Sequence, residues 1–365
     1  MRSGFDEKEV IEHFYGIDID PKSVYLTRAL IDPKGLCEKS NIYLADTLND
    51  FPKELKDMKF DIVIGNPPFQ DGENKGGAEK LWTKFVALSV DNLLKDDGYL
   101  GMITPAGWMS ATANVKKGVT GIYKDYFGKY SLKHVDVNDV GQKYFQNVGS
   151  TFCYFIFQKT EVDKCDTTWI TKFGKQVFDI RSRKLLISSM HPIMLSIFDK
   201  TLNNGDAFSW ISLTGGDQVG EKGLEFPTND IKIKHYIYGG NDDAQYLYFS
   251  KDYNEAVKSI KKVVIPRRTI YKFAPFVDYD NTPICVACYV IPLEDASVKE
   301  YTLQVFNSKL FKFLVEQTRM SNFVAPIVLK SIPKLDLTRP WTDQEIYEYF
   351  GLTEEEIKLI EESVK

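Results

Sequence analysis

The stretch from Asp61 to Phe69 reads Asp-Ile-Val-Ile-Gly-Asn-Pro-Pro-Phe, an apolar β-branched run followed by a stiff turn with one amide and one aromatic ring. Two successive prolines fix φ and supply no N–H, so the turn presents carbonyl oxygens beside the Asn66 amide. These acceptors suit a planar amino group, and Phe69 offers a ring face for stacking on a base. We predict an active-site turn at Asn66, Pro67 and Phe69, although Asn-Pro-Pro is also an ordinary way to end a strand.

The apolar run before this turn is typical of a buried parallel strand, and two further predicted strands end in carboxylates, at Asp18 and Asp46. A carboxylate at the end of the second strand of an adenosine-binding α/β unit accepts hydrogen bonds from ribose hydroxyls, so we assign cofactor binding to Asp18 and the adjacent Ile19. Asp46 is placed to meet the adenine amino group of a cofactor. A simpler interpretation makes Asp20 the N-cap of a helix that starts at Pro21.

The elements around these residues alternate between strand and helix, which predicts an α/β, Rossmann-like sheet. We expect strands at 60–64 and 99–105, and a pair at 134–137 and 150–158 that completes the sheet at its edge. We expect helices at 5–13, 22–31, 79–95 (ended by Gly98) and 113–129, with the glycine-rich stretch 72–77 as a mobile lid.

The alternation is lost after Gln158, which predicts three parts: a catalytic domain at 1–160, a mixed α+β target-recognition domain at 161–340 and an acidic helical tail at 341–365. Their net charges are −2, +3 and −6, so the middle part is mildly basic, which permits nucleic-acid binding without demanding it. Candidates for DNA contact are Arg267, Arg268 and Tyr271, although mixed bases and aromatics more often mark an ordinary β surface. Two S/T-x-x-E patterns in the tail predict two capped helices.

The composition, with 43% hydrophobic residues in a chain of 365, allows a sizeable core. No run of about 18 apolar residues occurs and no signal-peptide pattern opens the chain, so we expect a cytoplasmic protein without a membrane segment. Five scattered cysteines fit a reducing compartment. Cys285 and Cys288 have CxxC spacing, but no second ligand pair lies near them in the sequence, so we predict no metal site.

Five motifs, in this order, resemble those of the S-adenosylmethionine-dependent DNA adenine-N6 methyltransferases of the phage and restriction-modification type: Tyr15-Gly-Ile-Asp18, Leu44-Ala-Asp46, Asp61 to Phe69, Gly98-Tyr-Leu100 and Phe145-Gln-Asn-Val148. The resemblance implies S-adenosyl-L-methionine as cofactor and double-stranded DNA as partner. It also implies that Asp18 binds the cofactor ribose, Asp46 its adenine, and Asn66 with the Pro67 carbonyl the target amino group. Phe69 would stack on the flipped adenine and Phe145 would contact its other side.

One element of that family is expected upstream of Asp18, namely a first strand followed by a glycine-rich turn, yet the only glycine before Gly16 is Gly4. In this fold the first strand lies between the strands that end at Asp18 and at Asn66. Three outcomes are open: a second polypeptide supplies strand and turn, the sheet closes without them, or the chain is a fragment with little activity.

Two other functions fit part of the sequence. A similar Asn-Pro-Pro-aromatic turn occurs in RNA and protein-glutamine N-methyltransferases, because their target nitrogens pose the same chemical problem. A non-catalytic or partner-completed DNA-binding subunit of a restriction-modification system would explain the missing glycine turn.

Overall fold

The computed structural model describes residues 6–69, 80–110, 119–137, 144, 151–182, 186–187, 189–202, 211–213, 224–230, 232–239, 244–250, 261–266, 275–278, 282–284, 288–293, 299–318 and 335–364. The chain forms two compact units, here called the first unit (Met1–Gly101 with Gln158–Thr160) and the second unit (Met102–Phe157 with Glu161–Lys365). The predicted domain limits at 160 and 340 concern function, and they stay a prediction.

The elements up to residue 179 follow the expected alternation at first and then turn to strands. In chain order they are α1 (Glu7–Glu12), β1 (Gly16–Asp18), α2 (Pro21–Ile31), β2 (Ile42–Leu44), β3 (Phe60–Gly65), α3 (Leu81–Leu88), β4 (Leu94–Pro105), α4 (Val119–Ile122), β5 (Tyr130–Asp136), β6 (Phe152–Glu161), β7 (Asp166–Thr171) and β8 (Gly174–Asp179).

The rest of the chain mixes short strands with helices, as the sequence predicts for an α+β region. Its described elements are α5 (Pro192–Thr201), β9 (Ile211–Leu213), β10 (Ile233–Gly239), β11 (Ala244–Phe249), β12 (Lys262–Pro266), β13 (Phe276–Asp278), β14 (Cys288–Pro292), α6 (Lys299–Asn307), α7 (Lys309–Gln317), α8 (Asp343–Tyr349) and α9 (Glu354–Ser363).

The strands that carry the predicted site belong to two different sheets. β1 and β2 form a two-stranded parallel sheet in which Asp18 is level with Leu44. β3 starts a six-stranded sheet of order β3-β4-β6-β5-β7-β8. Among the described residues, the sheet has therefore not closed up between β1 and β3, which removes one of the three outcomes expected for the missing strand.

The expectation that 134–137 and 150–158 lie at the sheet edge is wrong. β7 continues the sheet beyond β5 in parallel, with Val135 level with Trp169, and β8 pairs antiparallel with β7. The physical reason is burial: Val135 and Trp169 are fully buried, whereas the alternating pattern of β8 leaves Val177 exposed. β8, and not β5 or β6, is therefore the edge strand on this side of the sheet.

The helix expected at 79–95 is also shorter than predicted, and Gly98 does not end it. α3 stops at Leu88, a π-helical turn covers Ser89–Leu93, and β4 begins at Leu94. Gly98 lies inside that strand, where a Cβ atom would lie 2.9 Å from the Lys95 carbonyl oxygen and 3.2 Å from the Asp61 carbonyl oxygen. Gly98 is thus required by a close backbone approach.

Both predicted capping boxes in the tail are confirmed, at Thr342 with Glu345 before α8 and at Thr353 with Glu356 before α9. Glu356 is only 3% exposed and also accepts a hydrogen bond from Lys200 Nζ of α5 at 2.7 Å. Burial alone would raise the pKa of Glu356, but hydrogen bonds from Lys200, Ser196 and the Thr353 N–H hold it below its ordinary value. The buried charge therefore ties α9 to α5.

Glu356→Gln keeps the capping box, because Gln also caps at this position, but removes the charge opposite Lys200. We expect it to lower the free energy of opening of α9 at neutral pH by about 1–3 kcal/mol, measured by amide hydrogen exchange. Because the folded pKa is depressed, this contribution is present above the ordinary carboxyl pKa and is lost as pH falls through the folded pKa. The difference between wild type and variant should vanish in that acidic range.

Glu345→Gln is the matched control, since Glu345 holds the same capping position but its partner Arg339 is 44% exposed. It should cost less than about 1 kcal/mol in α8. Equal losses in the two variants would show that the Lys200 contact adds nothing to the cap.

Candidate active site

The turn predicted to bind an amino group directly follows β3, which ends at Gly65. Asn66 is exposed, Pro67 is buried and Phe69 is half-buried. The buried Pro67 anchors the turn, whereas Asn66 and Pro68 are exposed to solvent. At the other end of β3, the Asp61 carboxylate pairs with Lys95 Nζ at 2.9 Å, and this hydrogen bond lowers the pKa of Asp61.

One expectation about this strand is wrong, because β3 is not buried. The side chains of Ile62 and Ile64 are 66% and 72% exposed. They point to the same face, since side chains of a strand alternate in direction. A buried parallel strand needs cover on both faces, and the described residues leave this face of β3 open.

The two carboxylates near the end of β1, Asp18 and Asp20, have different hydrogen-bond partners. Asp20 caps α2 as the simpler interpretation predicts, accepting hydrogen bonds from Ser23 N at 3.0 Å and Ser23 Oγ at 2.8 Å, with Pro21 in the first turn. These bonds from Ser23 lower the pKa of Asp20. Asp18 is exposed and accepts one backbone hydrogen bond, from Asp20 N at 2.8 Å. The neighbouring Ile19 is exposed as well.

Asp46, two residues after β2, is more heavily engaged than the sequence suggests. Its carboxylate accepts Leu48 N at 2.9 Å, Asn49 N at 3.1 Å and Asn49 Nδ2 at 2.8 Å. Asn49 is the main reason why the pKa of Asp46 is lowered. Asp46 therefore holds a tight turn. Its Oδ1 accepts two of these hydrogen bonds and its Oδ2 accepts one, so Oδ2 keeps a further acceptor position.

Strand pairing and one ring contact relate the positions of the predicted site residues. The register of β1 and β2 places Asp18 and Asp46 at the same end of that pair. At the opposite end, the ring of Tyr15, directly before β1, contacts the ring of Phe60, the first residue of β3, with centroids 5.4 Å apart. Asp18 is the last residue of β1, and Asn66 directly follows β3. Both predicted site residues thus lie at the carboxyl ends of strands whose amino-terminal ends are side by side.

The other predicted contacts lie outside the described residues. This applies to Phe145, Arg267, Arg268 and Tyr271, to the glycine-rich stretch 72–77, and to Cys285 of the CxxC pair, whereas Cys288 is buried in β14. Across the part of the chain that is described, no group of three or more His, Cys, Asp or Glu side chains is placed to hold a metal ion. No helix there is long and apolar enough to cross a membrane.

Comparisons with known proteins identify a family that part of this chain resembles. Residues 34–126, which include the Asp46 and Asn66 turns, match the family described as Eco57I restriction-modification methylase. A protein of Mycoplasma pneumoniae described as an uncharacterized adenine-specific methylase is 27% identical over 209 residues, which cover 54% of this chain. The chain spans 47% of the length of that relative.

Among solved structures, the type ISP restriction-modification enzyme LlaGI, as a nuclease-deletion mutant bound to a DNA substrate mimic, has a TM-score of 0.50 at 11% identity, covering 91% of this chain and 47% of its own. The type IIL enzyme MmeI in complex with DNA has a TM-score of 0.47 at 9% identity, covering 89% of this chain and 54% of its own. The likeness to LlaGI confirms the α/β fold class. The predicted resemblance to restriction-modification DNA adenine methyltransferases is confirmed, and residues 34–126 are the segment that matches a restriction-modification methylase family.

The two carboxylates around Ile19 should respond differently to substitution. Asp20→Ala removes the cap of α2 and should speed amide hydrogen exchange along Pro21–Ile31 severalfold. Asp18→Asn is the control, because an amide oxygen still accepts the hydrogen bond from Asp20 N, and α2 should keep its wild-type protection. A loss of protection in Asp18→Asn would show that Asp18 is a structural residue.

Proposed function

We propose that this protein is a cytoplasmic DNA methyltransferase that transfers a methyl group from S-adenosyl-L-methionine to the N6 amino group of adenine in double-stranded DNA. The observation that carries the proposal is the stiff turn Asn66-Pro67-Pro68-Phe69, which ends β3 with an exposed amide and lies within the matched methylase segment. Because that nitrogen is inside the duplex, the target adenine is flipped out of the stack.

The turn would supply hydrogen-bond acceptors that make the target nitrogen a better nucleophile. The lone pair of an exocyclic adenine nitrogen is delocalised into the ring, which makes it a poor nucleophile. Hydrogen bonds to the Asn66 side-chain oxygen and the Pro67 carbonyl would favour a tetrahedral nitrogen whose lone pair attacks the methyl carbon directly. S-adenosyl-L-methionine would supply the methyl group and a sulfur that keeps the bonding electron pair, and the nitrogen would release one proton to water. No covalent enzyme nucleophile is needed.

The aromatic contacts hold the flipped base in place. Phe69 would stack on one face of the adenine, and Phe145, by resemblance, would contact the other. The half-buried state of Phe69 supports this role, since its ring is partly held by the protein and partly accessible.

The cofactor half follows β1 and β2. S-adenosyl-L-methionine supplies the activated methyl group; Asp18 with Ile19 would bind its ribose, Asp46 its adenine amino group, and Asn66 would lie beside its methyl end. The exposed carboxylate of Asp18 and the lowered pKa of Asp46 support acceptor roles at neutral pH. DNA contacts are assigned to Arg267, Arg268 and Tyr271, and a second polypeptide is proposed to complete the cofactor half.

Asn66→Ala should reduce methyl transfer to unmodified DNA by roughly 10²-fold or more, because the acceptor that prepares the nitrogen is lost. The assay measures transfer of a labelled methyl group by the full chain, and DNA affinity should stay within about twofold of wild type. Asn92→Ala is the matched control, since Asn92 is exposed and its backbone carbonyl contacts Lys59 before the opposite end of β3. Full activity in Asn66→Ala would refute the assignment.

Phe69→Ala should weaken capture of the flipped base by about 1–3 kcal/mol, the usual worth of a base–aromatic stack. The fluorescence of 2-aminopurine at the target position reports this capture, because it rises when the base leaves the stack. Phe69→Trp keeps a ring face and should retain capture. Equal fluorescence for Phe69→Ala and wild type would remove Phe69 from the target site.

The turn chemistry also suits a glutamine amide or a guanine amino group. Adding glutamine-containing peptide and RNA as competitors separates these substrates: label in DNA alone supports the proposal, and label found only in peptide or RNA overturns it. A wholly non-catalytic DNA-binding subunit would label none of the three.

A further inference from the structure

β8 is an edge strand with one backbone side that no described strand pairs with. It ends the six-stranded sheet, and β7 is its one neighbour among the described strands. β8 contains no proline, and its register with β7 runs to Thr171 and Gly174 at the hairpin turn without a bulge. A regular strand edge of this kind presents N–H and C=O groups that pair readily with another strand.

The pairing with β7 shows which residues of β8 direct their backbone groups to the outer edge, the side away from β7. Ile180, directly after β8, donates its N–H to the Cys165 carbonyl oxygen at 3.3 Å, so these two residues form a hydrogen-bonded pair. Hydrogen-bonded and non-hydrogen-bonded pairs alternate along an antiparallel ladder, so every second residue of β8 bonds to β7. The backbone groups of the residues between them point to the outer edge, namely those of Lys175, Val177 and Asp179.

The side chains of these three residues share one face of the sheet, because side chains alternate in direction along a strand. Val177, in the middle, is 57% exposed, and Lys175 is exposed as well. Asp179 is half-buried, and its Oδ1 accepts the backbone N–H groups of Cys165 at 3.3 Å and of Arg181 at 3.1 Å. The outer edge thus carries an exposed apolar side chain between a base and an acid, each two residues away.

This arrangement of charges is complementary to itself. When two copies of β8 pair antiparallel about Val177, each Val177 lies opposite its copy, and each Lys175 lies opposite Asp179 of the partner. Unlike charges directly opposite each other stabilise a strand pair, whereas like charges destabilise it. Centring the pair on Lys175 or on Asp179 would place like charges opposite each other, so the charges favour the register about Val177. A lysine on an edge strand commonly prevents pairing with other chains, but in this register it meets an acid.

We propose that two copies of this chain associate through their β8 edges into a dimer with twofold symmetry, in which one sheet continues across the interface. Dimers in which the same surface meets itself are the commonest assemblies of identical chains. The interface consists of the outer backbone edge of β8 with the side chains of Lys175, Val177 and Asp179. A single short strand edge buries less surface than a permanent interface, so the dimer dissociates on dilution.

Sedimentation velocity of the full chain, without DNA or cofactor, tests the association. We expect dimer to predominate at about 100 μM and monomer at about 1 μM, as is typical of small, transient interfaces. Lys175→Asp places two acids opposite each other at both ends of the strand pair and should weaken the association by about tenfold or more. Lys133→Asp is the matched control, because Lys133 is an exposed lysine of the inner strand β5 and undergoes the same change of charge.

The control should associate as the wild type does. Monomer at every concentration of the wild type overturns the proposal, and so does a Lys175→Asp dimer as stable as that of the control.

A cysteine substitution tests the register. Val177 is the residue that faces its own copy, and the Cα atoms of a hydrogen-bonded pair lie about 5.5 Å apart, within the range that a disulfide spans. On oxidation at a concentration that favours the dimer, Val177→Cys should therefore form an intermolecular disulfide, seen by non-reducing electrophoresis. Lys175→Cys is the control, because its side chain lies opposite Asp179 of the partner and should give no more product than the native cysteines. A yield from Val177→Cys no higher than that of Lys175→Cys overturns the proposed interface.

Discussion

The backbone edges of β1 and β3 are the constraint on which the candidate site depends. Every N–H and C=O group of a strand needs a partner or water, so an edge that no strand pairs with must be hydrated or covered. The predicted cofactor carboxylate, Asp18, is the last residue of β1, and Asn66 directly follows β3. The Tyr15–Phe60 contact holds the amino-terminal ends of these two strands side by side, although they belong to separate sheets.

Local chemistry decides which polar residues are available for a ligand. The Asp20 carboxylate caps the first turn of α2. Asp18, two residues earlier, accepts a single backbone hydrogen bond and is exposed. Asp46 closes a turn through its hydrogen bonds with Asn49, and these bonds also lower the pKa of its carboxyl group. A carboxylate that holds its own loop keeps its position without a ligand, which reduces the ordering cost of binding.

Sequence reasoning succeeded where the determinants are local. The capping boxes at Thr342 and Thr353, the Asp20 cap and the strand before Asn66 depend on residues within a few positions, and all are confirmed. It failed where the path of the backbone decides. Gly98 resembles a helix stop, but it lies inside a strand, where a Cβ atom would lie 2.9 Å from the Lys95 carbonyl oxygen and 3.2 Å from that of Asp61. The exposure of β3 escaped prediction because an apolar run cannot tell whether its covering partner lies in the same chain.

The two halves of the candidate site are therefore controlled by different forces. The target half is shaped by covalent geometry, because the prolines at 67 and 68 restrict φ whatever surrounds them. The predicted cofactor half depends on strand pairing, because the parallel register of β1 and β2 places Asp18 and Asp46 at the same end of that pair. The shape of the Asn66 turn is thus set within four residues, whereas the relative position of the two carboxylates is set by hydrogen bonds between strands.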